Sequence, residues 1–283
     1  MSSPKLFKRS QSRVRPAGDP VTRRSGLSAP EETGEDGRVR INRFFTQQGL
    51  CSRRKADRLI EEGRISIHGR IAVLGDRVGP GDVITKDGTI VPWGNPPVYI
   101  KFHKPVGVTT TTEPHVPGNI IQYVGHPERV FPVGRLDKDS SGLILLTNDG
   151  EIVNQILRAE HGHEKEYVVQ VDPPFDNAFL DRMAAGVVIL GHPTRPCVLQ
   201  RTARSEFHIV LTEGRNRQIR RMCQALGYRV LALRRVRVMN ITIGGLRCGE
   251  WRNLTEAEKR RLFAALRQSS TQQKRDLAEV RAE

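Results

Sequence analysis

The pattern of apolar and polar residues divides the chain into five segments. Residues 1–38 contain few large apolar side chains and are rich in Ser, Pro, Gly, Arg and Glu, which predicts a disordered basic extension. In residues 39–86 apolar positions first recur at helical spacing and then alternate, as in strands. Residues 87–97 are rich in Pro and Gly and predict a linker. Strand-length apolar runs alternate with helical patterns over 98–268, and 269–283 is predicted to be a polar, frayed tail.

The segment that follows the basic extension predicts two helices and a hairpin. Ile41, Phe44 and Phe45 recur at helical spacing and predict the first helix. The second helix is predicted to begin after Ser52, a natural N-cap, and to end at Gly63, since glycine is favoured just beyond a helix C-terminus. Alternating isoleucines beyond it predict a β-hairpin. One face of the second helix carries four cations: Arg53, Arg54, Lys55 and Arg58.

The larger segment predicts an α+β domain with a mixed or antiparallel sheet, because strands alternate with short helices without an internal repeat. The predicted strands are 98–102, 130–133, 143–147, 166–171, 207–212, 229–234 and 239–243. The predicted helices are 151–158, 176–184, 216–226 and 255–267.

Charge indicates a polyanionic partner. Lys and Arg number 46 against 31 Asp and Glu, which gives a formal net charge of +15. Such a charge attracts nucleic acid and repels basic partners. The charge is also concentrated, because residues 214–237 contain eight arginines and no acidic residue. The planar guanidinium of arginine suits bidentate contacts with phosphate and stacking on bases.

Other features of the composition narrow the class of protein. No apolar run approaches the roughly 18 residues that a membrane span needs, and no apolar segment follows Met1 as it would in a secretory signal. The cysteines are scattered and form no CxxC pair, which argues against a zinc ribbon and against a disulfide framework. A protein of the reducing cytoplasm with no membrane partner is therefore expected.

The segment 134–150, GRLDKDSSGLILLTNDG, places charged residues directly before a fully apolar strand. Asp137 falls in the predicted loop between two strands, and Arg135 lies two residues earlier, which in extended backbone puts both side chains on one face. A neighbouring arginine keeps a carboxylate ionised, and an ionised carboxylate in a cleft can act as nucleophile or general base. From the residues alone a structural salt bridge is the commoner outcome, and Asp139 adds no defined acid–base geometry.

The segment 51–69, CSRRKADRLIEEGRISIHG, resembles the S4 RNA-binding domain. The similarity includes both the SRR start of the helix and the G-x-I-x-I-x-G of the hairpin. It implies that the basic helix face contacts RNA through four residues: Arg53, Arg54, Lys55 and Arg58.

Four further segments resemble, in unbroken order, the motifs of the RsuA type of pseudouridine synthases, in which an S4 domain precedes the catalytic domain. They are HKPVG at 103–107, GRLDKDSSGLILLTNDG at 134–150, HEKEYVVQV at 163–171 and EGRNRQIRRMCQALGY at 213–228. The resemblance implies an isomerase that acts on uridine in RNA. The C1′–N1 bond breaks, the uracil rotates and a C1′–C5 bond forms, with no cofactor and no metal.

Within this family the chain is similar to the branch of the large-subunit pseudouridine synthase F. The similarity lies in RAEHGHEKEY, around the tyrosine of the third segment, and in RRVRVMNITI, which follows the last motif. It implies that the partner is the 23S RNA of the large ribosomal subunit. The family also implies a monomer, and no DNA partner is expected.

The resemblance assigns roles to single residues. Asp137 matches the essential aspartate, which acts on a base flipped out of its stack. Tyr167 matches the tyrosine that stacks on the uracil, and Arg220 matches the cation that pairs with the carboxylate. Arg135 matches an arginine that also pairs with the aspartate and can occupy the space left by the flipped base. Ile219 matches the apolar residue that packs on the nucleotide.

Four more residues complete the expected site. Lys104, in the first motif, is expected among the substrate-binding residues as a support of the cleft. Three arginines of the last motif are expected to contact RNA: Arg215, Arg217 and Arg221.

Two alternatives stay open. S4 modules recognise RNA mostly by shape and backbone, so transfer RNA is an alternative substrate, alone or together with ribosomal RNA. A non-catalytic S4 RNA-binding factor for ribosome assembly is the alternative from another functional class. The presence of Asp137, Tyr167 and Arg220 together favours the enzyme, because a degenerate relative would have lost at least one of them.

Overall fold

Two domains follow one another along the chain in the computed structural model, which describes residues 37–94, 96–157 and 162–280. The first domain is built from two helices and short strands, and the second from a nine-stranded sheet with helices. This agrees with the predicted α+β organisation. The predicted disorder of the N-terminal extension lies outside the described residues up to position 36.

The first domain has the predicted helix pair followed by strands. Its elements are β1 (Val39–Arg40), α1 (Ile41–Gln47), α2 (Arg53–Glu61), β2 (Ile65–Ile67), β3 (Arg70–Ile71), β4 (Arg77–Val78), β5 (Ile84–Lys86) and β6 (Thr89–Ile90). The Ser52 side chain accepts a hydrogen bond from Lys55 N and caps α2 as predicted. The rings of Phe44 and Phe45 are fully buried and meet edge to face, with centroids 5.6 Å apart, which fixes α1 on the core.

The predicted linker begins later than its composition indicated. Thr89–Ile90 form β6, which pairs with β5, and Val91 is buried in the core of the first domain. Asp87 and Gly88 both have positive φ and form the tight turn between these strands. The Asp-Gly pair that suggested a linker is therefore the turn of a second hairpin, and the chain leaves the first domain only beyond this hairpin.

The second domain contains the remaining sixteen elements. They are β7 (Tyr99–Lys104), α3 (Ile120–Val124), β8 (Phe131–Val133), β9 (Ser141–Thr147), α4 (Gly150–Leu157), β10 (Lys165–Asp172), α5 (Asn177–Ala184), β11 (Val188–Ile189), β12 (His192–Pro193), β13 (Val198–Ala203), β14 (Glu206–Leu211), α6 (Gln218–Ala225), β15 (Arg229–Val238), β16 (Ile241–Thr242), β17 (Trp251–Asn253) and α7 (Glu256–Val280).

The large sheet is mixed, with strand order β13-β14-β10-β15-β9-β7-β17. Its neighbours pair antiparallel except β15 and β9, which are parallel. Strand β9 is buried on both faces: Leu143 and Leu145 pack in one hydrophobic cluster and Ile144 and Leu146 in another. This double burial explains why its sequence is a continuous apolar run rather than an alternating one.

Three predictions for this domain were wrong in detail. The strand predicted at 229–234 extends to Val238 and forms the ten-residue β15. The strand predicted at 239–243 is only the two-residue β16. Strands β13 and β17 were not predicted, because β13 is largely exposed and β17 has only three residues. Helix α7 continues to Val280 and includes most of the predicted frayed tail, whose many Gln, Lys, Arg and Ala residues favour helix.

No helix in the described ranges is both long and apolar enough to cross a bilayer.

The two halves of the sheet join through a very short parallel pairing. Ser141 pairs with Arg234 and Gly142 pairs with Arg235. Gly142 has φ +111°, and a Cβ atom at this position would lie 2.2 Å from the carbonyl oxygen of Arg235. Because backbone atoms cannot move aside as a side chain can, this close approach requires glycine. The pairing fixes the start of β9, and therefore the loop before it, against β15.

Gly142→Ala is expected to lower the free energy of unfolding by about 3 kcal/mol, since it adds a backbone clash to an unfavourable φ. The matched control is Gly191→Ala. Gly191 also has positive φ but has no atom within 4 Å of the added Cβ, so only the φ penalty of about 1–2 kcal/mol is expected. Urea denaturation of both variants measures the difference. Equal losses would show that the close approach to Arg235 is not the constraint at Gly142.

Candidate active site

A cavity of about 530 Å³ opens where the loop between β8 and β9 meets β10, α6 and β15. This volume lies in the range of small-molecule sites, about 300–1,000 Å³. Six of the predicted site residues line it: Arg135, Asp137, Tyr167, Arg215, Arg217 and Ile219. Residues far apart in the sequence therefore meet at one site, as the motifs predicted.

Asp137 lies in the loop before β9, and its side chain is 30% exposed. The loop is held from both sides. Ser140 N donates a hydrogen bond to the Asp137 carbonyl over 3.1 Å, and Thr110 Oγ1 donates to the Leu136 carbonyl over 2.8 Å. The Lys138 carbonyl accepts a hydrogen bond from Gly107 N over 2.8 Å. The carboxylate is therefore fixed at the wall of the cavity and stays accessible from it.

Two arginines of the α6 segment are the cations nearest to Asp137. Arg217 Nη1 lies 3.4 Å and Arg220 Nε 4.0 Å from Asp137 Oδ2. Arg217 also forms a two-pronged contact with Asp139, with Nη1 and Nη2 donating over 3.2 and 3.1 Å. This hydrogen bond lowers the pKa of the Asp139 carboxyl below its ordinary value. Asp139 therefore orients the guanidinium that faces Asp137.

Arg220 connects the loop to the sheet. Its Nη2 donates to the Asp139 carbonyl over 2.9 Å and to Ser140 Oγ over 3.2 Å, and its Nη1 donates to the Val230 carbonyl over 3.4 Å. The side chain is only 13% exposed. Arg220 thus lies beside Asp137, as predicted, and its hydrogen bonds join the Asp139–Ser140 segment of the loop to β15.

The predicted ion pair between Arg135 and Asp137 is not formed. Arg135 is exposed and lines the cavity, but within the described ranges it forms no ion pair with the carboxylate. Residues two apart share a face only in a strand, whereas this segment is an irregular loop that begins at Gly134 with φ +77°. Arg217, which was expected among the RNA contacts, takes the position beside Asp137.

Lys104 is completely buried and is not among the residues that line the cavity. Its Nζ donates to the carbonyls of Pro105 over 2.9 Å and Val108 over 2.8 Å and supports the turn next to the Asp137 loop. Burial lowers the pKa of Lys104 to about 8, although the nearby charge of Asp137 acts in the opposite direction. The structure therefore agrees with the supporting role expected for this residue.

Tyr167 and Ile219 both line the cavity. Tyr167 stands on β10, half-buried between two hydrophobic clusters. Ile219 belongs to the buried stripe of α6 together with Met222 and Cys223, and only its edge lines the cavity. Their predicted contacts with a base and a nucleotide stay predictions.

Three charged cavity residues were not predicted: Lys165, Glu213 and Arg235. The buried Glu213 carboxylate accepts hydrogen bonds from Arg215 Nε over 3.1 Å and Gln218 Nε2 over 2.8 Å. Arg215, expected to contact RNA, is therefore engaged in holding the start of α6. Lys165 could have been found from its spacing, because it lies two residues before Tyr167 on one strand.

Arg221, the last predicted RNA contact, lies outside the cavity and donates to the Asn216 carbonyl and side chain.

The basic face of α2 is a second candidate interface. Its four cations are exposed and form no ion pair with any acidic residue in the described ranges: Arg53, Arg54, Lys55 and Arg58. The first domain contacts the second through an ion pair between Arg43 and Glu151. Arg129 Nη1 also donates to the Cys51 carbonyl over 3.1 Å. A free basic surface is therefore attached to the domain that holds the cavity.

Comparison with known proteins identifies both domains. Residues 98–225 match the family described as RNA pseudouridylate synthase, and residues 39–84 match the S4 domain. A protein from Escherichia coli O6:H1, named dual-specificity RNA pseudouridine synthase RluF, is 48% identical over 84% of this chain and 83% of its own length. The chain belongs to the RNA pseudouridine synthase family. It is therefore an isomerase that acts on RNA.

Other relatives agree with this assignment. The ribosomal large subunit pseudouridine synthase B of Bacillus subtilis is 33% identical over 80% of this chain and 96% of its own length. A solved structure described as pseudouridylate synthase superposes with a TM-score of 0.58 at 28% identity, covering 79% of this chain and 99% of its own. The predicted fold class, an S4 domain followed by a pseudouridine synthase domain, is confirmed.

The buried Lys104 of this synthase is expected to make stability depend on pH. Its pKa of about 8 in the folded protein lies below the unfolded value of 10.5. Below pH 8 both states are protonated, and the folded state carries the full penalty of burial. Between these two values the unfolded chain binds the extra proton, so the free energy of unfolding rises with pH by at most about 1.4 kcal/mol per pH unit.

Urea denaturation between pH 7 and 10 of the wild type and Lys104→Met measures this contribution. The wild type should gain stability relative to the variant as the pH rises. Lys138→Met, which removes an exposed lysine from the Asp137 loop, controls for the loss of a charge. A difference between wild type and Lys104→Met that does not change with pH would contradict the lowered pKa.

The basic face of α2 is expected to supply phosphate contacts. Replacing Arg53, Arg54 and Arg58 together by Ala should weaken RNA binding and flatten the slope of log K against log salt concentration by two to three units, roughly one for each lost phosphate contact. Fluorescence anisotropy with labelled RNA at several salt concentrations measures both quantities.

A matched triple variant in the same domain removes three arginines that are ion-paired. Arg38 pairs with Asp82, Arg64 with Asp87 and Arg70 with Asp76. Because their charges are already balanced, the loss of affinity should be much smaller. A salt slope that is unchanged in the α2 variant, or equally reduced in both, would contradict the assignment of this face.

Proposed function

We propose that this synthase converts a specific uridine of the 23S RNA of the large ribosomal subunit into pseudouridine, with Asp137 as its catalytic carboxylate. The observation that carries the proposal is the position of Asp137. It is an accessible carboxylate at the wall of a nucleoside-sized cavity, between two arginines and near Tyr167. The match to a pseudouridine synthase over 84% of the chain supports the same residue.

The reaction requires a base that has left its stack. The cavity accepts one flipped nucleotide, and Tyr167 supplies an aromatic face on which the uracil stacks. Asp137 then acts on the sugar or on the base as nucleophile, or removes a proton from the sugar. In each route the C1′–N1 bond breaks, the uracil turns within the cavity, and C5 bonds to C1′. Arg217 and Arg220, which lie 3.4 and 4.0 Å from the carboxylate, orient it through this sequence.

Recognition of RNA is divided between the two domains. The basic face of α2 binds phosphates and positions the substrate strand, which gives affinity without reading bases. Arg135, exposed at the mouth of the cavity, fills the space left in the RNA stack by the flipped base. Ile219 contacts the nucleotide from the other side. The large-subunit RNA is favoured because the Bacillus subtilis relative is named a ribosomal large subunit synthase.

Transfer RNA is the second candidate substrate. The relatives from Escherichia coli and Shigella flexneri are named dual-specificity enzymes, and they are 48% and 47% identical to this chain. A site that reads one flipped uridine and otherwise binds phosphates tolerates two RNAs, provided that both present the same local shape.

The test is tritium release from RNA labelled at uridine C5, measured in parallel on 23S RNA and transfer RNA. Wild type is expected to release tritium from 23S RNA, because C5 loses its hydrogen when it bonds to C1′. Asp137→Asn should reduce release by at least about 10⁴-fold, as for loss of an essential catalytic group, with RNA affinity unchanged. Asp181→Asn, the same chemical change at an exposed position of α5, is the control and should retain full activity.

Each other outcome has a definite meaning. Release from transfer RNA as well as 23S RNA would establish dual specificity, and release from transfer RNA alone would correct the substrate. Retained activity in Asp137→Asn would refute the catalytic assignment. RNA binding without release from either RNA or from pre-ribosomal particles would indicate the non-catalytic assembly factor instead.

A further inference from the structure

Two cations that carry none of the roles assigned above are buried in the wall of the cavity. Arg235 is 4% exposed and Lys165 is 9% exposed, and both line the cavity together with Tyr167. Arg235 Nε donates to the Leu143 carbonyl over 2.7 Å, and Lys165 Nζ donates to the His163 carbonyl over 3.0 Å. These bonds orient both side chains but leave their charges unbalanced.

Sheet register places both cations beside the tyrosine. Arg235 is directly opposite Tyr167 in the β10–β15 pairing, and opposite residues of an antiparallel pair point to the same face. Lys165 lies two residues before Tyr167 on β10 and shares that face as well. The three side chains therefore form one continuous patch, which is called the cation–tyrosine patch below.

This patch differs from the cations on the other wall. Arg217 and Arg220 are balanced by Asp137 and Asp139. Arg235 and Lys165, in contrast, form no ion pair with any acidic side chain among the described residues. Arg235 Nη2 is buried with no hydrogen-bond partner there, as is Arg220 Nε on the other wall.

Burial, and then the charge of Arg235, lowers the pKa of Lys165, as is expected for a cation without a counter-ion. Two like charges buried side by side oppose folding. The presence of these two buried cations in the wall of a cavity points to a ligand that carries negative charge.

The reaction supplies such a charge on the base itself. When the C1′–N1 bond breaks, its electron pair stays on the uracil, and the negative charge spreads over N1 and the ring oxygens. If Asp137 instead adds first to the ring, the electron pair again moves to a ring oxygen. The charge disappears when C5 bonds to C1′, as the Asp137 carboxylate leaves C1′ or returns the proton that it took from the sugar; C5 then releases its proton and N1 takes up a proton. Atoms and electrons balance without any further reactant.

We propose that Arg235 and Lys165 contact the oxygens of the flipped uracil and stabilise the negative charge that the ring carries while it is detached from the sugar. This inference rests on the proposed function, since it requires uracil in the cavity. The ring is favoured over a backbone phosphate as the anion because both cations are deeply buried beside Tyr167. A phosphate remains with the RNA strand and is bound by exposed cations, such as those of α2.

Lys165→Met and Arg235→Met remove each charge and keep a long side chain. Single-turnover rates with saturating enzyme are expected to fall about 10²-fold in each variant, as when one group that stabilises a developing anion is removed. The RNA dissociation constant and its salt dependence should stay close to those of the wild type. Lys165→Arg and Arg235→Lys keep the charge and should recover part of the rate. Arg234→Met, at the exposed neighbouring position of β15, is the matched control and should turn over normally.

A second substrate separates charge stabilisation from a structural role. RNA with 5-fluorouridine at the target position carries an electron-withdrawing fluorine that stabilises the ring anion. Disappearance of 5-fluorouridine, followed by nuclease digestion and mass spectrometry, reports the first bond cleavage even though fluorine cannot leave as a proton. The loss of rate in both Met variants should be several-fold smaller on this RNA than on uridine RNA. Their Tm values without RNA should equal or exceed that of the wild type, because an unbalanced buried charge has been removed.

The outcomes that overturn the inference are specific. Wild-type rates in both Met variants would refute it. A loss confined to the RNA dissociation constant and salt slope would indicate a phosphate contact instead. Equal losses on uridine and 5-fluorouridine RNA together with a lower Tm would indicate a structural role. If Arg235→Met does not fold, Lys165→Met alone carries the test.

The wild type and Asp137→Asn test the proposed function, whereas the two Met variants test the role of the cation–tyrosine patch. A wild type that makes no pseudouridine, or an Asp137→Asn variant that does, would refute the proposed function and this inference with it. An active wild type and an inactive Asp137→Asn, combined with normal rates in both Met variants, would refute the role of the cation–tyrosine patch only.

Discussion

The site depends on the two-residue parallel pairing between β9 and β15. Gly142 allows the backbones to approach so closely that a Cβ atom would lie 2.2 Å from the Arg235 carbonyl oxygen. This contact joins the half of the sheet that carries β7 and β9 to the half that carries β10 and β14. Because the Asp137 loop directly precedes β9, the same contact helps to place Asp137 at the wall of the cavity that Tyr167 also lines. The close backbone approach is thus a functional constraint as well as a packing one.

Charge in the cavity is arranged in two ways. Around Asp137, two carboxylates and two arginines balance one another, and Asp139 and the loop backbone hold the guanidinium groups in place. At the cation–tyrosine patch, two cations are buried without an acidic partner among the described residues. A balanced group gives a fixed orientation at little electrostatic cost, whereas an unbalanced group is stabilised only when an anion arrives. An enzyme whose substrate becomes charged during the reaction can use both.

Much of this arrangement could be read from local patterns. The Ser52 cap could be predicted from residue type at the start of the helix. The amphipathic helices and the strand β9 could be predicted from the spacing of apolar residues, because burial on one face or on both faces determines which positions are apolar. Motif order located Asp137, Tyr167 and Arg220. Of the two predicted partners of Asp137, Arg220 lies beside it but Arg135 does not, since Arg135 was placed by strand geometry in a segment that is a loop. The predicted strand 229–234 ended four residues before the end of β15, because polar arginines interrupt the apolar pattern of this strand.

The sequence by itself determined the family, the two-domain α+β organisation and the carboxylate on which the chemistry is proposed to depend, because each is carried by residues close together in the chain. Only the tertiary structure showed that Arg217 is the nearest cation to Asp137, that Lys104 is buried, and that Arg235 stands opposite Tyr167. Those relations depend on strand register, backbone approach and access to water. These are properties of segments distant in sequence, and no local pattern of residue types encodes them.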